Sequence, residues 1–180
     1  MKIAIVGYSG SGKSTLARKL SEQHQIPVLH FDRVQFSPGW EIRPEEEKER
    51  MTREFLDSHT DWVIDGNYSK LSFRRRMEEA DVIILMVFGR FTCLRRVRRR
   101  YQTYKNTTRP DMGEGCNEKL DWEFVKWVLW KGRSKATRQR FRWVMTQYPD
   151  KTLVIKYQRQ LDEAQNQINK LIEKQSIYRL

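Results

Sequence analysis

The feature that most constrains this chain is the octapeptide at residues 7–14, which reads GYSGSGKS. It fits the pattern GxxxxGK[ST] and lies between a β-branched apolar segment at 2–6 and a segment of helical spacing at 15–20. Glycines let such a loop curl its N–H groups around phosphate oxygens, and the helix N-terminus that follows adds partial positive charge. A chance match in a Gly/Ser turn is the alternative, but average residue frequencies make it rare. The motif therefore predicts a phosphate-binding loop, or P-loop.

The residue types of the loop indicate a nucleotide and a metal as its ligands. We expect Lys13 to reach the β- and γ-phosphates of ATP, and the hydroxyl of Ser14 to ligate Mg²⁺. The predicted nucleotide-binding residues are Gly7, Ser9, Gly10, Ser11, Gly12, Lys13, Ser14 and Thr15.

Strands alternate with helices along the rest of the chain. Apolar strands are predicted at 26–32, 62–68, 81–88 and 153–157, and helices at 44–56, 74–79, 90–104, 118–147 and 159–175. This alternation predicts an α/β fold: a five-stranded parallel sheet with helices on both faces. The 180 residues suffice for one domain over 1–180, and no repeat or linker divides it.

Composition narrows the class of protein further. Cys93 and Cys116 form no CxxC pair, which argues against a disulfide framework or a zinc set. No stretch has the length and apolarity of a membrane span or signal peptide, so we expect a cytoplasmic protein with no membrane partner. The net charge of +12 indicates an acidic partner. Nucleotide phosphates need only a few arginines, so nucleic acid and simple surface solvation both stay open as explanations.

Candidate catalytic residues follow the predicted strands, because ligands of such sheets bind at the carboxyl ends of the strands. Asp65 ends the third strand and could hold Mg²⁺ opposite Ser14; a turn-capping aspartate before glycine is the alternative. Asp32 ends the second strand and could orient a substrate hydroxyl or act as its general base. His30, two residues earlier, shares its strand face, and a lone histidine of this kind is more often packed in the core.

The helix at 90–104 is rich in arginine. Arg95 and Arg99 are four residues apart on one helix face and could clamp triphosphate oxygens in the transition state. A solvated basic helix is the alternative, and it suits most of the other arginines there. The aromatic residues Phe124, Trp127 and Trp130 follow helical spacing, which favours core packing over base stacking.

The chain is similar to adenylate kinase and the small nucleoside-monophosphate kinases in three places. These are the P-loop at 7–14, the Asp65-Gly66 turn after the third strand, and Arg95 with Arg99 after the fourth strand. A likeness over almost the whole chain is to the DNA topology modulation proteins (FlaR-type), a P-loop NTPase family related to adenylate kinase. It lies in the P-loop segment GYSGSGKSTLARKL, IPVLHFD at 26–32, PGW at 38–40, DGNY at 65–68 and RPDMGEGC at 109–116. The resemblance implies an ATP site on the P-loop and a lid over about 105–135. It also implies that Arg133, Arg138 or Arg140 closes on the phosphates.

The departures from adenylate kinase concern the acceptor. Ser69 stands where that enzyme's monophosphate-binding arginine follows its DGFPR turn, and residues 31–34 do not reproduce its second arginine segment. Asp32 instead resembles the substrate aspartate of shikimate- and gluconate-type kinases. The sequence thus predicts an ATP- and Mg²⁺-dependent phosphotransferase, with Lys13, Asp32, Arg95 and Arg99 as catalytic residues, Ser14 and Asp65 as metal ligands, and an unidentified small-molecule acceptor. The alternative is a nucleotide-dependent, nucleic-acid-binding regulator that affects DNA topology.

Overall fold

The structure, a computed structural model, describes residues 1–177. Its strands are β1 (Lys2–Gly7), β2 (Val28–His30), β3 (Phe36–Ser37), β4 (Glu41–Ile42), β5 (Trp62–Asp65), β6 (Val82–Met86) and β7 (Thr152–Ile155). Its α-helices are α1 (Lys13–His24), α2 (Phe31–Gln35), α3 (Glu45–Ser58), α4 (Phe73–Glu79), α5 (Arg90–Tyr104), α6 (Trp122–Leu129), α7 (Lys135–Gln147) and α8 (Gln158–Ile177). Short 3₁₀ turns occupy Pro38–Trp40, Lys131–Arg133 and Pro149–Lys151.

The main sheet confirms the predicted α/β architecture. Five parallel strands pair in the order β2-β5-β1-β6-β7. Along the central strand β1, Ile3 and Ile5 face one apolar core, and Ala4 and Val6 face the other, as the two-residue period of a strand requires. Helices α1, α5 and α8 contribute to the first core, and α3, α4 and α7 to the second. Both faces are therefore buried, and the carboxyl ends of β1, β2 and β5 meet at one edge.

The segment after β2 differs from its prediction. The second strand ends at His30, and Phe31 begins the short helix α2, so Asp32 lies in the first helical turn rather than on a strand. Phe31 is fully buried and points into the core, which holds this turn against the sheet. The PGW segment at 38–40 forms a 3₁₀ turn within a small antiparallel hairpin of β3 and β4.

The single helix predicted over 118–147 is two helices. The side chain of Asp121 accepts a hydrogen bond from the Phe124 N–H and caps α6, and Ser134 caps α7 in the same way through Thr137. A Cβ at Gly132 would lie 2.9 Å from the Trp127 Nε1, so the chain between the helices passes close to that ring. A glycine followed by a capping serine is a recognised signal for a helix boundary.

Residues 105–121 join α5 to α6 in an irregular path. Isolated bridges pair Lys105 with Glu118 and Thr108 with Asn117, so the segment folds back on itself. The thiol of Cys116 is buried and donates to the Ser37 carbonyl, which fixes the segment to the hairpin. In the part of the chain that the structure describes, no helix has both the length and the apolarity needed to span a membrane.

Candidate active site

The P-loop is pressed between β6 and α5. Gly7 has a φ of 148°, and a Cβ there would come within 2.2 Å of the Met86 carbonyl oxygen. Gly10 has a φ of 75°, and a Cβ there would come within 2.6 Å of the Val97 side chain. Neither position therefore accepts a larger residue without a shift of the loop. The loop leads directly into α1, whose first-turn N–H groups have no carbonyl partner within the helix.

Lys13, the first residue of α1, reaches back across the loop. Its Nζ donates to the Tyr8 carbonyl oxygen at 3.1 Å, which leaves further ammonium hydrogens for a ligand. Burial lowers the pKa of Lys13 below its ordinary value, and the negative charges of Asp65 and Asp32 act in the opposite direction. Both predicted carboxylates are thus close enough to Lys13 to influence its charge.

Asp65 lies at the end of β5 and connects two side chains. Its Oδ2 accepts a hydrogen bond from the Ser14 hydroxyl at 2.7 Å, and its Oδ1 lies 2.5 Å from His30 Nδ1. Only 4% of Asp65 is exposed and only 5% of His30. The structure therefore brings the two predicted metal ligands together. His30, expected only as a packed residue, orients the carboxylate through its ring.

The residues that follow Asp65 attach this turn to the P-loop. The Asn67 side-chain amide accepts from the Gly7 N–H at 2.9 Å and donates to the Gly7 carbonyl at 2.5 Å. Gly66, with a φ of 139°, allows the turn to pass within van der Waals contact of Phe31, where a Cβ would be 2.7 Å away. Sequence analysis did not assign a role to Asn67; its place in the DGNY segment was the available signal.

Asp32 lies beside this turn with part of its carboxylate open to solvent. Its Oδ1 accepts from the Tyr68 hydroxyl at 3.0 Å, and its Oδ2 pairs with Arg109 Nη2 at 3.2 Å. Its side chain keeps 40% of its surface exposed, so it can accept a further hydrogen bond. Burial and the adjacent Asp32 raise the pKa of Tyr68, which keeps the phenol protonated as a donor.

The arginines of α5 face solvent, the P-loop or, for Arg100, Glu118 of the 105–121 segment. Arg95 and Arg99, the predicted clamp, both lie on the exposed face of the helix. Arg96 is the residue that turns toward the loop: it donates to the Ser11 carbonyl and to Gln158 Oε1, and its guanidinium lies 4.0 Å from the Phe88 ring centroid. The clamp role of Arg95 and Arg99 stays a prediction. Periodicity alone could not show which face of this basic helix meets the loop.

The predicted lid also contacts the loop. The Trp127 Nε1 donates to the Ser9 hydroxyl at 3.1 Å, although the residue keeps 48% of its surface exposed. Trp130 is 55% exposed, so these two tryptophans are not the core residues that their spacing suggested. Arg133 lies 3.9 Å from the Tyr8 ring centroid and donates to the Phe88 carbonyl, and Arg140 donates to the Asn67 carbonyl at 3.1 Å.

The fold that carries this site is similar to solved structures that contain bound nucleotides. A structure of deoxyadenosine kinase from M. mycoides with bound dATP is 13% identical, with 94% of this chain and 100% of that chain covered and a TM-score of 0.54. The YorR protein from Bacillus subtilis, in complex with phosphorylated GDP, is 14% identical, with 97% and 98% covered and a TM-score of 0.50. The molecule therefore has a P-loop fold of the nucleotide-kinase-like α/β class.

The family of the chain is assigned from its sequence. The model of the AAA_18 family, described as an AAA domain, matches residues 3–123, and the chain belongs to this family. No curated protein matches the chain. The family and the fold agree with the predicted P-loop NTPase class.

Proposed function

We propose that this protein is an ATP- and Mg²⁺-dependent phosphotransferase that acts on a hydroxyl group of a small acceptor. The proposal rests on one observation: Lys13, the Ser14–Asp65 pair and Asp32 all lie at the same edge of the sheet. Lys13 emerges from the P-loop, Ser14 and Asp65 lie in contact, and the Asp32 carboxylate partly opposes the lowering of the Lys13 pKa by burial. The fold likeness to a deoxyadenosine kinase with bound dATP and to a protein in complex with phosphorylated GDP supports a nucleotide as the phosphoryl donor.

The residues present fit a magnesium ion. Mg²⁺ takes oxygen ligands and is commonly held by one or two protein groups together with substrate phosphates. The Ser14 hydroxyl and Asp65 carboxylate, with oxygens 2.7 Å apart, are such a pair, and His30 fixes the carboxylate from behind. When held by Ser14 and Asp65, Mg²⁺ would supply positive charge that offsets part of the negative charge of the nucleotide phosphates.

The chain's own groups then supply positioning and proton transfer. Lys13 and the loop N–H groups hold the β- and γ-phosphates, while Asp32 accepts a hydrogen bond from the acceptor hydroxyl. The hydroxyl oxygen bonds to the γ-phosphorus as the bond to ADP breaks, and Asp32 takes the proton. Tyr68 and Arg109 hold the Asp32 carboxylate in place for this step.

Arg95 and Arg99 remain the proposed transition-state clamp, and Arg96 is the competing assignment because it already contacts the loop. Either arginine set would balance the negative charge that spreads over the γ-phosphate oxygens.

The test of the proposal is ADP release in the presence of Mg²⁺-ATP across a panel of nucleosides, nucleotides and small hydroxylated metabolites. We expect at least one compound to stimulate ADP release well above the acceptor-free rate. ATP that fails to bind the folded protein would contradict the proposal at its first step.

One observation favours a second function, a nucleotide-dependent nucleic-acid-binding regulator. Arg90, Arg95, Arg98 and Arg99 are all exposed on α5 and, among residues 1–177, none pairs with a carboxylate. A DNA titration at two salt concentrations separates the two functions, since phosphate contacts give a steep salt dependence. Micromolar or tighter binding at physiological salt with a steep slope would favour the regulator.

A further inference from the structure

We infer that the acceptor is an uncharged or cationic hydroxyl compound, and that the site discriminates against phosphorylated acceptors. This inference rests on the proposed function and names the substrate class of the same site. It follows from what the arginines around Asp32 already bind. Outside phosphate-binding loops, a common way for proteins to hold a phosphate group is with guanidinium groups, whose paired N–H donors match its oxygens. An acceptor that carries a phosphate would gain most from such a group if it were free.

Two of the arginines near Asp32 are used to hold the backbone. Arg33 donates to the carbonyls of Pro110 and Met112 and so ties α2 to the 105–121 segment. Arg43 directs one nitrogen at the carbonyls of Arg33, Val34 and Phe36, and its Nε lies 3.4 Å from Glu47. Each guanidinium would have to abandon structural hydrogen bonds before it could bind a ligand.

Arg76 serves the turn after β5. It is fully buried, and it donates to the carbonyls of Leu71 at 3.0 Å and Tyr68 at 2.8 Å. Its guanidinium also lies 4.2 Å from the Phe31 ring centroid. Arg76 therefore stabilises the turn that follows Asp65 and contains Tyr68. Because it is fully buried, it is inaccessible to a ligand.

Arg109 contacts Asp32 directly, but its charge is more than neutralised. It pairs with Asp32 at 3.2 Å, Asp111 at 3.1 Å and Glu118 at 3.2 Å. Burial alone would lower the pKa of Arg109, yet the three carboxylates outweigh it and raise that pKa. Arg100, which pairs with Glu118 at 2.6 Å, is the second cation of the cluster. Three carboxylates against two guanidinium groups leave one net negative charge beside the acceptor position.

The consequence is a site whose chemistry favours a hydroxyl and opposes a phosphate. A phosphate dianion placed beside Asp32 would meet a like charge, and the neighbouring Arg33, Arg43, Arg76 and Arg109 are already engaged in the contacts described above. A neutral hydroxyl needs only the exposed part of the Asp32 carboxylate as its hydrogen-bond acceptor. An ammonium group near the hydroxyl would be tolerated because the cluster is net negative.

The test measures AMP binding by calorimetry, with the protein saturated with Mg²⁺ and a non-hydrolysable ATP analogue. The first titration, with the analogue itself, isolates the proposed function: absence of analogue binding would sink that function rather than this inference. On the loaded protein, we expect AMP binding to be weaker than millimolar. AMP binding at micromolar concentration would overturn the inference.

Two variants complete the test. Ser69 is exposed and directly follows Tyr68, which contacts Asp32, so Ser69→Arg adds a guanidinium on this side of the site and should strengthen AMP binding about ten- to a hundredfold, the usual value of one charged contact. Gln167→Arg adds the same charge on the exposed face of α8 and should leave AMP binding unchanged. No gain from Ser69→Arg would also overturn the inference, because lack of a free arginine would then not explain the discrimination.

Discussion

The two halves of the site use their charged groups in opposite ways. On the P-loop side, Lys13 makes a single hydrogen bond to a backbone carbonyl and keeps donors available. On the Asp32 side, Arg76 donates to backbone carbonyls, and Arg109 is ion-paired with Asp32 and Glu118. One half is therefore prepared for phosphates, and the other for a group that carries no negative charge. Lys13 is left to meet a ligand in one half, whereas Arg76 and Arg109 support structure in the other.

The largest effect is expected at the phosphate side. Lys13→Ala should weaken ATP binding about 100-fold or more, because it removes a charged donor from the phosphates. The fold should persist, since Lys13 contributes charge rather than core packing. Calorimetry on the folded variant measures the change, with the exposed Lys170→Ala on α8 as a control. Undiminished ATP affinity in Lys13→Ala would contradict the role of Lys13 as the free phosphate-binding cation of the P-loop side.

Asp65→Asn probes the metal rather than the nucleotide. The amide keeps the size of the side chain but loses the charge that Mg²⁺ requires, so we expect Mg²⁺-dependent turnover to fall about 100-fold. Nucleotide binding without Mg²⁺ should change only about threefold or less, because Ser14 and His30 hold the Asp65 carboxylate and the phosphates are bound by the P-loop. The two measurements are made on the same preparation, with the exposed Asp150→Asn as a control. Wild-type turnover in Asp65→Asn would reduce Asp65 to a turn residue.

Smaller effects on ATP binding and turnover are expected when the arginines of α5, on the P-loop side of the site, are replaced. Because Arg96 contacts the loop, Arg96→Ala should weaken ATP binding about tenfold, the value of one charged hydrogen bond. Arg95→Ala and Arg99→Ala test the clamp: if it forms, turnover falls while ATP affinity holds. Steady-state kinetics on the three variants separates the roles. Equal, unchanged behaviour of all three would exclude this helix from the site.

Local sequence patterns predicted the elements and the P-loop well, because each depends on contiguous residues. The pairs that build the site come from distant segments: Asn67 with Gly7, His30 with Asp65, and Arg109 with Asp32. Single-sequence periodicity does not report which segments meet. It also failed at Trp127, whose helical spacing suggested a core position although the ring lies over Ser9 at the surface. The net charge likewise gave no hint that so many arginines are tied to backbone carbonyls.

The most direct measurement of the central claim compares wild type with Asp32→Asn. The assay follows ADP release from Mg²⁺-ATP with the best hydroxyl compound of the panel, and calorimetry gives the ATP affinity of both proteins. We predict that an unphosphorylated hydroxyl compound stimulates ADP release, and that Asp32→Asn lowers this stimulated rate about 100-fold, a usual contribution of a general base, while ATP affinity stays within about threefold. Stimulation by monophosphates alone, or a stimulated rate that Asp32→Asn leaves unchanged, would contradict the account.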